Sequence, residues 1–114
     1  MLEFYKTFED GITKKIDAPQ HGCWISAIAP TQQEIDYLIN EIGVLPEFVK
    51  ASLDEEESSH IDYDDDEAQT LVIVDYLNAD EDDAADENTL LYTTLPLGVV
   101  IMKGYIVTIC LYDN

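Results

Sequence analysis

A chain of 114 residues with 46% hydrophobic content is long enough to bury one core of its own, and it is read as a single domain over 1–114. Five lysines and no arginine stand against 25 acidic residues, for a formal net charge of −20. Such a field repels phosphate backbones and anionic lipid surfaces, which argues against nucleic-acid partners and direct membrane contact, and it attracts cations and basic protein surfaces.

In chain order, residues 4–8 and 12–16 flank Glu9-Asp10-Gly11, a turn signal that predicts an N-terminal β-hairpin. A polar connection broken by Pro19 and Gly22 leads to a strand over 23–29, with Cys23, Ile25 and Ala27 on one face and Trp24, Ser26 and Ile28 on the other. Two partly apolar faces predict a central strand covered on both sides. Thr31, followed three residues later by Glu34, is a capping box that starts a helix. Ile35, Leu38, Ile39 and Ile42 form its apolar stripe, and Gly43 closes it. A second helix is expected from Pro46 to about Leu53, with Phe48, Val49 and Leu53 inward.

Residues 54–57 are too charged for a core element. Ile61 and Tyr63 alternate with His60, Asp62 and Asp64, as in a short edge strand whose polar side faces water. The run Leu71-Val72-Ile73-Val74 inside 69–77 is the most apolar strand, and its unbroken apolarity predicts burial on both faces. Residues 78–88 carry six acids and read as a solvated hairpin loop or a disordered segment. A long strand, or a strand pair interrupted near Pro96-Leu97-Gly98, is expected over 89–102, and a last strand over 105–112 after the Lys103-Gly104 turn. The expected fold is α+β, a layered domain with a mixed, largely antiparallel sheet and two consecutive helices after the first central strand.

No catalytic or cofactor-binding residues emerge, and no specific metal ligands can be named. The stretch Asp62-Tyr63-Asp64-Asp65-Asp66 begins like an EF-hand loop, but Glu67 stands where glycine is needed and Ile73 where the bidentate glutamate is needed. Weak, delocalised binding of Mg²⁺ or another divalent cation at the acidic surface is the expectation. His21, Cys23, His60 and Cys110 would all have to converge to hold zinc. The cysteines are read as reduced and buried, with a disulfide between them left open. Nucleophilic catalysis lacks a motif, so enzyme activity is not expected.

The order of these items resembles the CorA family of divalent-cation transporters, in its N-terminal cytoplasmic domain. The matching residues are Trp24-Ile25, Pro30-Thr31, Glu34-Ile35, Gly43 with Pro46, Leu53-Asp54-Glu55-Glu56, Ile61, Leu71-Val72-Ile73-Val74, Leu97-Gly98-Val99-Val100-Ile101 and Val107-Thr108. The resemblance implies an α/β/α layered unit on the cytoplasmic side of the inner or plasma membrane. It also implies that the rest of the transporter chain and its neighbouring subunits, a pentamer in the family, are the partners. The pore helices of such transporters have no counterpart here, so the implied role is regulation or assembly without conduction. The family's acidic pair for regulatory magnesium, in the second helix, corresponds to Lys50 and Ala51, so that site is not carried over. The alternative expectation is a stand-alone acidic binding protein that masks a basic partner surface, as a nucleic-acid mimic or an inhibitor.

Overall fold

The structure, a computed structural model, describes residues 1–79 and 92–112. Most of the acidic stretch over 78–88 lies outside them. Strands β1 (Leu2–Thr7), β2 (Thr13–Ile16), β3 (Cys23–Ile28), β4 (His60–Asp64), β5 (Gln69–Ala79), β6 (Tyr92–Met102) and β7 (Tyr105–Cys110) form one sheet in the order β2-β1-β3-β7-β6-β5-β4. All neighbouring pairs are antiparallel except β3 and β7, which run parallel with Ile25 beside Val107. The sheet is therefore mixed and largely antiparallel, and its two helices follow β3, as expected.

Helix α1 (Gln32–Tyr37) starts at the capping box. The Thr31 hydroxyl accepts from Glu34 N–H at 3.2 Å, and Glu34 Oε1 accepts from Thr31 N–H at 2.9 Å. The helix does not continue as α to Ile42. Residues Leu38–Ile42 form a π-helical turn, closed by Gly43 at φ 95°. This turn still buries Leu38 and Ile42, so the predicted stripe reaches the core by a wider winding. Helix α2 (Pro46–Ser52) buries Phe48, Val49 and Ser52.

Both helices lie on one side of the sheet. Their core residues meet Cys23, Ile25 and Ala27 of β3, Val107 and Ile109 of β7, Val100 of β6, and Leu71 and Ile73 of β5. Burial of these side chains at roughly 25 cal/mol per Å² of apolar surface supplies the main favourable term in folding. At Gly98 the helix comes closer than any side chain would allow: a Cβ there would lie 1.9 Å from Ser52 Oγ.

The opposite side of the sheet is uncovered by any helix among the described residues, which corrects two expectations. β3 is central, yet its Trp24 is 42% exposed. β5 is strongly apolar, yet Val74 is exposed and Val72 only half-buried. The implied second helical layer is likewise not among the described elements. Continuous apolarity identified strands with two apolar faces, but among the described residues the helices cover only one.

One further difference concerns β4, and β6 takes the long-strand alternative. β4 is an edge strand, but Ile61 and Tyr63 point to the open side and are exposed, while His60 and Asp64 are half-buried on the helical side. β6 runs unbroken through Pro96. Its pairing with β7 begins only at Leu97 opposite Cys110, so the missing N–H of Pro96 costs no hydrogen bond on that side.

Candidate functional site

The open side of the sheet is a row of side chains fixed by strand register. Tyr5 lies beside Trp24, Trp24 beside Ile106, Ile106 beside Ile101, Ile101 beside Thr70, and Thr70 beside Tyr63. The Tyr5 and Trp24 rings sit 4.9 Å apart at 30°, and Trp24 Nε1–H donates to Thr108 Oγ1 at 2.8 Å. Trp24 is thus oriented at both its polar and its apolar end while half its surface faces water. Trp24, Ile101, Ile106, Val74, Ile61 and Tyr63 are all exposed on this side, which makes a broad apolar surface for a chain of such charge.

Around the first strand the polar groups are committed to the fold. Glu34 accepts from the amino terminus at 3.0 Å, from Leu2 N–H at 2.9 Å and from Thr31 N–H. The Thr31 N–H, foremost, and the terminal amine hold its carboxyl below the usual carboxylate range. Burial raises the neighbouring Tyr37 hydroxyl. These residues line a cleft of about 380 Å³ with Leu2, Phe4, Gln33 and Pro19. Its carboxylate is engaged by three donors and is no free base.

A second groove of about 380 Å³ lies between the helices, lined by Ile35, Ile39, Val49, Leu53, Lys50 and Asp54. Lys50 is exposed there, and Ala51 is half-buried against the core. The acids at 54–57 turn to local partners. Asp54 Oδ1 accepts from Glu56 N–H, Glu55 Oε1 from the Tyr112 hydroxyl at 3.0 Å, and Glu57 Oε1 lies 3.5 Å from His60 Nδ1. Contact with Glu55 raises the Tyr112 hydroxyl above its ordinary value.

The four soft-metal candidates do not come together. Cys23 lies on the helical side and Cys110 on the open side, and no disulfide joins them, which answers the disulfide question. His21 packs over Gly104, and His60 sits near Ser58 and Glu57 at the other end of the sheet. Among the described residues no three of His, Cys, Asp or Glu are placed to hold a metal ion.

Sequence reasoning missed Gln69. It is buried, and its amide donates to Gly43 O at 2.6 Å and accepts from Leu45 N–H at 3.1 Å, tying the connection between the helices to β5. No sequence signal marks it, because its partners lie 24 and 26 residues away.

No protein-family model and no curated protein matches the chain. Solved structures do. The CorA magnesium transporter from Methanocaldococcus jannaschii matches at TM-score 0.70 and 19% identity over 100% of this chain and 33% of its own. The soluble domain of CorA from the same organism matches at 0.69 and 21%, over 100% of this chain and 41% of its own. The ZntB cytoplasmic domain from Vibrio parahaemolyticus matches at 0.66 and 15%, over 98% and 44%. At these identities the likeness is one of fold, and it bears out the family resemblance at that level. The chain spans a third to less than half the length of these proteins. Among the described residues no helix is long and apolar enough to cross a membrane.

Proposed function

We propose that this chain is a cytoplasmic regulatory or assembly domain of a CorA-like magnesium or other divalent-cation transporter and does not itself conduct ions. The fold match to CorA and ZntB domains along essentially the whole chain is the observation that supports this most. The apolar side of the sheet that no helix covers among the described residues agrees with it, since the further chain of a longer transporter would have a surface to pack on. In this reading the partners are the rest of the transporter and its neighbouring subunits, divalent cations bind only weakly at the acidic surface, and no enzymatic step is involved.

The test is to extend the chain with the sequence encoded after Asn114. The extended protein should fractionate with membranes, and Trp24 emission should move to the blue with much weaker acrylamide quenching than in the 114-residue chain. A downstream frame without two apolar helices would end the transporter reading. The net charge of −20 favours a second reading, a stand-alone acidic protein that masks a basic surface. Stoichiometric capture of one basic protein by a natural product ending at Asn114 would support that reading instead.

A further inference from the structure

We propose that the outer edge of β4 is a docking strand for a basic, extended peptide segment in which lysine or arginine alternates with apolar residues. β4 ends the sheet, and among the described residues no strand pairs with its outer side. The alternation of antiparallel hydrogen bonds tells which backbone groups are free there. Asp75 N–H donates to Ser59 Oγ at 3.0 Å, so Asp75 turns its backbone toward the β4 side, and Ile73 and Leu71 do the same by alternation. Their register partners His60 and Asp62 therefore turn inward, and Ile61 and Tyr63 turn outward. The Tyr63 N–H agrees, for its acceptor is the side-chain Oδ1 of Asp62 at 2.9 Å.

The side chains on this edge alternate in the same way. Ile61 and Tyr63 are 73% and 57% exposed on the open side of the sheet, where an added strand would set its apolar residues. His60, Asp62 and Asp64 lie on the other side, where that strand would set its cations. Residues 54–75 carry no lysine or arginine, whereas Lys6, Lys14 and Lys15 sit on β1 and β2 at the opposite margin of the sheet. Pairing of two copies through β4, antiparallel about Asp62, would place the two Asp62 carboxylates opposite one another. Charge thus directs this edge to a basic partner and away from a second copy. Docking asks Asp62 to release the Tyr63 N–H to the incoming carbonyl, and an opposing lysine or arginine gives the released carboxylate a new partner. This is strand addition, with main-chain bonds for affinity and alternate side chains for specificity.

The test uses a short capped peptide alternating lysine and valine, added to the isotope-labelled chain. The controls are a peptide of the same composition with lysines and valines in separate blocks, and an alternating glutamate–valine peptide. The alternating basic peptide should slow amide exchange at Ile61 and Tyr63, and both controls should leave it unchanged. Asp62→Lys, at an exposed position, should keep the native amide spectrum and weaken binding about tenfold, the scale of one exposed attractive pair turned repulsive. Equal affinity for the block peptide would overturn the proposal, as would protection at β2 in place of β4, or no protection at either edge.

Discussion

Glu34 does more for this fold than its place on an exposed first turn suggests. One carboxylate caps α1 and at the same time fastens the amino terminus and the first residue of β1. Glu34→Gln keeps the shape but gives up the charge and one pair of acceptor sites. It should cost about 1–2 kcal/mol, the scale of a cap plus a charge-assisted hydrogen bond. Because the folded carboxyl lies below its reference value of 4.5, its contribution is fully present above that value and is lost as pH falls through the lower folded pKa. Urea denaturation should therefore show the largest difference between the two proteins at neutral pH, closing in acid. A difference that stays constant with pH would mean the carboxylate charge is not involved. Glu34 was legible as a cap because Thr31 is three residues away. Its hold on Leu2, 32 residues away, was not, and neither was the Gln69 clamp.

At the scale of elements, the approach of α2 to β6 sets the thickness of the helical layer. Gly98 is needed there for space alone, since no positive φ is involved. Gly98→Ala puts a methyl group into Ser52 and should destabilise the chain by about 3 kcal/mol or prevent folding. Adding Ser52→Gly removes the colliding atoms and should restore part of the loss even though glycine weakens the helix, which a double-mutant cycle by thermal or urea unfolding would measure. Strands and helices were legible because their hydrophobic periods are local. The π-turn was not, since Ile35, Leu38, Ile39 and Ile42 keep a helical spacing under either winding. Pro96 left a long strand and an interrupted pair equally open in the sequence, and register makes the break unnecessary. Apolarity on the second face of β3 and β5 reads the same whether the cover belongs to this stretch of chain or to another.

Across the whole molecule, charge and topology impose different demands. A net charge of −20 on a chain of this size opposes compaction, so salt should raise Tm by screening. Acids such as Asp54, Glu55 and Asp64 are already bonded to local partners. Magnesium chloride and sodium chloride at matched ionic strength should therefore give the same rise in Tm. A larger rise with magnesium would reveal carboxylates converging on the ion. Topology acts on the order of assembly. β7 is the last of the described strands in sequence but lies in the middle of the sheet, between β3 and β6. Without it, β2-β1-β3 and β6-β5-β4 are two ribbons with no strand pairing between them. A nascent chain emerging from the ribosome must hold both ribbons apart, each with an open edge, until Tyr105–Cys110 has cleared the exit tunnel. Long-range closure of this kind is slow and leaves those edges exposed meanwhile, so the moment of greatest risk comes in the interval before β7 is free to pair.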